Sequence, residues 1–219
     1  MISVLIPWRS QDPQRVAVWD FLRHLWAGVD VQLCVTDDGL QGRFSYAAGA
    51  NRCRQFATGD MLLLYGADQM PPTPEKLDWI RERLARMPWT GVYAQTRVYS
   101  EFATRMLMVG SPLARFEHQS ITAPVAEGIV AVRADVFDDV GGMDPRFRGW
   151  GAEDVAFRFA LKTLHPTGDL VGEGMSHTLF HHAEPWDELT TANNKLFIQY
   201  QAAAAQGRLR EFLEEARHG

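Results

Sequence analysis

Within its first 65 residues the chain alternates three short, mostly apolar runs with two segments of helical periodicity. The runs are Ile2–Pro7, Val31–Thr36 and Met61–Tyr65. Between them, Gln11–Trp26 carries Val16, Trp19, Leu22, Leu25 and Trp26 at helical spacing, and a second helix spans Tyr46–Ala57 before Gly59-Asp60. Runs this short, apolar on both faces, suit parallel strands covered on both sides. Strand, helix, strand, helix, strand at this pace implies a mostly parallel sheet built from right-handed crossovers. The 46% of hydrophobic residues is enough for such a core, and 22% charged residues is ordinary for a globular chain.

Further along, Thr73-Pro74-Glu75 marks a helix start, with Thr73 as cap and Pro74 in the first helical position, running to about Met87. Thr90–Val98 alternates as a strand, Leu107–Thr122 carries no readable period, and Gly128–Val132 is another apolar run. A short helix over Ala134–Val140, a glycine-rich turn through Gly149-Trp150-Gly151, a helix over about Ala152–Leu164 and a strand near Ser176–His182 follow. The chain reads as a single domain. Within it, about 1–70, about 71–185 and a C-terminal helical region of about 186–219 stand apart by their patterns.

In an open α/β sheet, ligands bind beyond the carboxyl ends of the strands. That rule singles out Pro7-Trp8-Arg9, Asp37-Asp38-Gly39 and Gly66-Ala67-Asp68, each directly after one of the first three strands. Each alone is an ordinary polar turn. Together they suggest one cleft for a cation and a ligand carrying phosphates. No glycine-rich phosphate loop follows the first strand, which disfavours dinucleotide and P-loop chemistry and a nucleotidyltransferase. A diphosphate here would then need a divalent ion, and carboxylate with imidazole suits Mn²⁺ or Mg²⁺.

Several function classes fall away on composition. With 22 Lys+Arg against 27 Asp+Glu the net charge is −5, which argues against bulk attraction to nucleic acid. No apolar run approaches the ~18 residues of a membrane span, and no secretory signal is visible. Cys34 and Cys53 form no CxxC, so neither a disulfide framework nor a cysteine zinc site is expected. These features suggest a soluble protein of a reducing compartment such as the cytoplasm.

The order Ile6-Pro7-Trp8-Arg9, Val35-Thr36-Asp37-Asp38-Gly39, the stretch 44–72 and the stretch 127–158 resembles nucleotide-sugar-dependent glycosyltransferases of the GT-A fold, a three-layer α/β/α sandwich. The second half is closest to the β-1,4-galactosyltransferase type, through Gly149-Trp150-Gly151-Ala152-Glu153-Asp154. The resemblance covers roughly residues 2–185. It implies that Pro7 and Arg9 lie against the donor diphosphate, that Asp37 or Asp38 bonds the uracil ring, and that Asn51 belongs to the donor-binding set. Gly66, Ala67 and Asp68 correspond to the DxD segment, Asp68 being the metal-binding acid; Gly66 stands where the first acid is expected. Gly128 corresponds to backbone close to the donor sugar and Trp150 to a loop closing over it. Glu153 would contact a sugar and Asp154 would be the catalytic base. For the metal-binding histidine, His182 fits best, with His181 a close rival and His177 a distant one. On one strand His177 and His181 would share a face, with His182 on the other.

Residues alone give the acid pair two readings. Two acids opening a helix suit its dipole, so simple capping is the plain one. An indole between two glycines next to those acids is equally a platform for the apolar face of a sugar, with carboxylates for its hydroxyls. The resemblance implies an inverting, metal-dependent hexosyltransferase using a UDP-linked donor and an acceptor hydroxyl on a glycan, a protein or another molecule. The alternative is a sugar or nucleotide-sugar binding module that lost activity with the change at Gly66.

Overall fold

The computed structural model describes residues 1–124, 128–182 and 187–218. Three parallel strands start the main sheet: β1 (Ile2–Pro7), β2 (Gln32–Thr36) and β3 (Met61–Leu64), with β1 between the other two. All six residues of β1 are buried. Beyond β3 the sheet continues with β7 (Val130–Arg133) and then β4 (Trp89–Gly91), in the order β2-β1-β3-β7-β4. β7 runs antiparallel to both neighbours, so four of the five strands point one way.

Two apolar layers cover this sheet, as the alternation of side chains along a strand requires. On one face Ile2, Val4 and Ile6 pack with α1 (Pro13–Trp26) and α3 (Pro74–Leu84). On the other, Leu5, Leu62 and Leu64 pack with α2 (Tyr46–Phe56), α5 (Ala134–Asp139) and α6 (Glu153–Leu164). The three-layer α/β/α arrangement is present. Caps account for the helix starts: Asp12 accepts from the Gln14 and Arg15 amides ahead of Pro13, and Thr73 accepts from Lys76 ahead of Pro74.

The stretch expected as one strand over Thr90–Val98 is two. β4 ends at Gly91, and β5 (Gln95–Tyr99) belongs to a second sheet, β6-β5-β8, with β6 (Ser120–Pro124) and β8 (Met175–Thr178). A Cβ at Gly91 would lie 2.4 Å from the Leu170 carbonyl, so the backbone passes too closely there for any side chain. The unreadable stretch resolves into α4 (Glu101–Met108), a 3₁₀ helix (Leu113–Gln119) and β6. Short elements of this kind carry no long periodic signal. After α6 come α7 (Glu188–Ala205) and α8 (Leu209–His218), whose Tyr200, Ala203, Leu209 and Leu213 bury against Phe147, Ala156 and Ala160. No helix among the described residues is long and apolar enough to cross a membrane.

Candidate functional site

Because β1, β2 and β3 are parallel, their carboxyl ends at Pro7, Thr36 and Leu64 lie along one edge. Val130, at the start of the reversed strand β7, pairs with Leu64 and so begins at that same edge. Four segments therefore meet there: Trp8-Arg9, residues 37–45, Gly66–Gln69 and Gly128.

Arg9 organises the second segment. Its guanidinium donates to the carbonyls of Leu40 (2.6 Å) and Gly42 (2.8 Å) and pairs with Asp38 at 3.1 Å. Asp38 is buried and also accepts from the Ser45 amide at 2.9 Å, so it anchors the loop to the start of α2. Of the two acids expected near a base, Asp37 is the exposed one, bonded to Arg52 at 2.6 Å. Arg9 thus holds a loop, where the resemblance placed it against the diphosphate. Asn51 also differs from expectation. Its side-chain amide donates to the Met143 carbonyl (2.7 Å) and accepts from the Met143 amide (2.9 Å), clasping the turn between α5 and α6 instead of facing the cleft.

In the third segment His181 Nε2 lies 3.0 Å from Asp68 Oδ2, and His181 Nδ1 lies 2.8 Å from the His182 carbonyl. A carbonyl only accepts, so Nδ1 carries a proton there. In the neutral ring, Nε2 then turns a lone pair toward a carboxylate. Two acceptors face each other, and either a second proton or a cation must sit between them. The Asp68 carboxylate accordingly raises the His181 pKa above its ordinary value. An oxygen and an imidazole nitrogen converging in this way fit a divalent ion such as Mn²⁺. No cluster of three or more such side chains occurs among the described residues, so ligand and water oxygens would have to complete the shell.

The ranking of histidines made from the sequence inverts. His182 is exposed, its ring set against Phe180, while His181 meets Asp68. β8 stops at Thr178, so the alternation expected to sort the three rings does not extend to 181 and 182. His177 stacks on Tyr99 and lines a separate hollow of about 170 Å³ with Met70, Lys76 and Tyr93. Asp68 and His181 instead line a small hollow with Trp8, Arg15 and Ala67. The change at Gly66 has a steric counterpart. A Cβ there would lie 2.5 Å from Asp68 Oδ1, and the Gln69 side chain accepts from the Gly66 amide at 2.9 Å.

The acid pair opens α6 after a contorted turn. Gly149, Gly151 and Ala152 have φ of 66°, 110° and 68°, and Ala152 is the one non-glycine in that region among the described residues. Left-handed backbone is unfavourable for alanine, and such residues concentrate at functional sites. The turn is laced to its surroundings. The Gly149 amide donates to the Phe44 carbonyl, and Asn193 of α7 donates to the Arg148 and Trp150 carbonyls. The Trp150 side chain is 54% exposed. Glu153 accepts from the Gly151 amide at 3.0 Å, and Asp154 Oδ1 from the Val155 amide at 2.8 Å. Asp154 Oδ2 faces Gly128, 3.9 Å from where a Cβ would stand.

Burial raises the pKa of both acids, and for Glu153 the neighbouring Asp154 adds to it, pushing it up to about 7 from 4.5. An acid raised on folding favours the folded state below its unfolded pKa, and that advantage fades as pH climbs through the folded one. The melting-temperature gap between Glu153→Gln and the wild type should therefore widen from pH 4.5 to 7 and then level off. The span is on the order of 3 kcal/mol at most. Parallel melting curves across that range would remove the assignment.

Tyr46, which sequence reading passed over, stands at the start of α2 against the end of β3. Its hydroxyl donates to the Tyr65 carbonyl at 3.2 Å, next to Gly66, and the charges of Glu153, Asp154 and Asp68 all reach its phenol. The only sequence signal was its place directly after the Ser45 cap. Asp154 reaches the same rim through Gly128, which lies two residues before Val130, the partner of Leu64 at the end of β3.

Comparison with known proteins agrees with this geometry. Residues 105–165, from α4 to the end of α6, match the sequence model of a family described as the N-terminal domain of galactosyltransferase. No curated protein matches the chain in sequence. Among solved structures, a mutant β1,4-galactosyltransferase 7 from Drosophila, in complex with manganese, UDP-Gal and xylobiose, superposes with a TM-score of 0.55 at 15% identity, covering 90% of this chain and 78% of that one. Glucosyl-3-phosphoglycerate synthase from Mycobacterium tuberculosis, in complex with Mn²⁺ and UDP-Glc, gives 0.54 at 16% identity, covering 95% and 79%. The fold is that of the GT-A glycosyltransferases. The segment that resembles the galactosyltransferase family spans Gly128, Glu153 and Asp154.

Proposed function

We propose that the chain transfers a hexose from a UDP-linked donor to an acceptor hydroxyl with inversion at the anomeric carbon, using a divalent cation. The observation that carries this reading is the shared rim, where Asp68 meets His181 just beyond β3 and Asp154 faces Gly128 just ahead of β7, the strand paired with β3. Asp37, exposed at the end of β2, is positioned to bond the base. Arg9 and Asp38 keep its loop in shape. Asp68 and His181 would hold the cation, which supplies charge neutralisation for the departing diphosphate.

Asp154 takes the acceptor proton as the hydroxyl attacks from the face opposite the leaving group. Its Oδ1 is fixed by the Val155 amide, and Oδ2 is turned toward the cleft. Burial raises its pKa toward the working range, as a general base requires. Trp150 offers an exposed indole for the apolar face of a sugar, and covering the donor limits its loss to water. The complexes of the two relatives, which hold Mn²⁺ or manganese with a UDP-sugar, support this donor class.

A panel of nucleotide sugars with Mn²⁺, read by melting temperature and nucleotide release, tests the reading. A UDP-hexose should raise the melting temperature only when Mn²⁺ is present, and release of UDP should follow. Stabilisation without release, even with sugar acceptors added, would make the chain a binding module.

A further inference from the structure

The hollow of about 170 Å³ between α3 and β8 is separate from the one that Asp68 and His181 line, yet its wall shares backbone with that pair. The Met70 amide donates to the His177 carbonyl and the Leu179 amide to the Asp68 carbonyl, both at 2.8 Å. The chain leading away from Asp68 and the chain leading to His181 therefore run side by side here. Two nitrogen-bearing side chains reach the hollow from different elements, Lys76 from α3 and His177 from β8.

Lys76 is held in place without an ion pair. Its ammonium donates to the carbonyls of Glu173 (2.7 Å) and Val92 (3.4 Å) and lies over the rings of Trp79 (4.2 Å) and Tyr93 (5.1 Å). Those carbonyls take two of its three protons. Among the described residues none takes the third, and no carboxylate is within ion-pair distance. The exposed Glu173 carboxylate acts on it only from further away.

His177 is fixed as firmly. Its ring stacks on Tyr99 with 19° between the planes, and Nδ1 lies 2.9 Å from the Tyr99 hydroxyl. With that hydroxyl donating to Nδ1, the ring proton sits on Nε2, for which the described residues offer no partner. The charges that face this ring, Arg97 and Glu117, are paired with each other at 2.9 Å. Burial and the Arg97 charge lower its pKa, so the ring is uncharged in neutral solution.

Two donors in one hollow thus lack acceptors, and together they carry a single positive charge. Met70, Pro71 and Met175 add an apolar wall. A ligand that satisfies this lining brings two acceptor oxygens, one negative charge and an apolar body. A carboxylate has that form, whereas a phosphate dianion brings more charge than Lys76 balances. A dry cavity of about 150 Å³ takes up benzene, so the space suits a six-membered ring.

We propose that this hollow is a binding site for a small monocarboxylic acid with an apolar body, its carboxylate taken by Lys76 and His177. The site is independent of the transfer reading, since neither residue belongs to the donor, metal or base set.

Methionine methyl groups report occupancy directly, because Met70 and Met175 both stand in the wall. Protein carrying ¹³C-methyl methionine is titrated with benzoate, with its neutral isostere benzamide and with inorganic phosphate. The two signals are assigned through Met70→Leu and Met175→Leu. Benzoate should shift both signals saturably, at concentrations at least about 10-fold below those of the other two probes. Lys76→Met removes the charge and keeps an unbranched stem, and should weaken benzoate about 10- to 100-fold. His177→Phe keeps the ring stack and should weaken it about 10-fold. The ligand-free methyl spectrum of each variant shows whether its hollow is intact, and either intact variant suffices for the comparison. Benzamide or phosphate binding as tightly as benzoate, no saturable shift of either methyl, or benzoate affinity unchanged in an intact variant overturns the assignment.

Discussion

Asp154→Asn should lower UDP-sugar turnover by about 10²–10⁴-fold, the range a positioned base contributes, while leaving donor binding within a few-fold of wild type. The substitution is close to isosteric. Asparagine can still accept from the Val155 amide through its oxygen, so the start of α6 keeps its local bonding. What disappears is the lone pair that receives the acceptor proton at Oδ2. The comparison needs two readouts on one preparation, UDP release for turnover and calorimetry in Mn²⁺ for donor affinity. Turnover unchanged by the substitution would sink the base assignment. A matched loss of affinity and turnover would recast Asp154 as a binding group.

Asp68→Ala should abolish the dependence of donor affinity on Mn²⁺. For the wild type, calorimetric titration of UDP with and without the ion should differ by at least about 100-fold, since even indirect partners of a metal ligand are worth 10–100-fold. In Asp68→Ala the two titrations should coincide. His181→Ala should follow Asp68→Ala, because the imidazole meets that carboxylate at 3.0 Å, whereas His182→Ala should behave as wild type. A large effect at His182 with none at His181 would reverse the assignment that the geometry supports.

Much of the sheet was legible because its strands are short, with β1 wholly and β3 almost wholly buried. β1 was expected over Ile2–Pro7 and has those bounds, and β2 and β3 differ from expectation by a residue at one end. Their runs are mostly apolar since both faces of the sheet carry helices, and a run of that kind is hard to mistake once its flanks are turns. The split between β4 and β5 was not legible. What ends β4 is an approach of Leu170, distant in sequence, to the backbone of Gly91, and no local pattern encodes such a contact. The reversal of β7 was hidden for a similar reason, because an apolar run has no direction.

At the site, sequence reading located the segments but did not give the partners of individual side chains there. Arg9 and Asn51 were read as ligand contacts by their place in the chain, yet both bond the backbone of neighbouring loops. Polar residues at a rim serve two ends, binding and loop support, and only the partner's position separates them. His181 and His182 are adjacent, so choosing between them needed the local backbone. Tyr46 was missed because an aromatic at the first position of a helix normally reads as core.

The reversed strand has one further consequence. Gly91, where β4 ends, pairs with Val130, where β7 begins. Everything between them leaves the main sheet and re-enters it at facing positions, so its length is unconstrained by the strands it connects, and closing a longer excursion adds little entropy. That excursion contains α4, the 3₁₀ helix, β5 and β6, and it returns through Gly128 to the rim beside Asp154. Length changes in its loops can thus be absorbed, whereas its packed elements stay tied to the rest: Tyr99, Ala103 and Leu107 share the core of Val4 and Ile6, and Thr104 accepts from the Phe180 amide, next to His181.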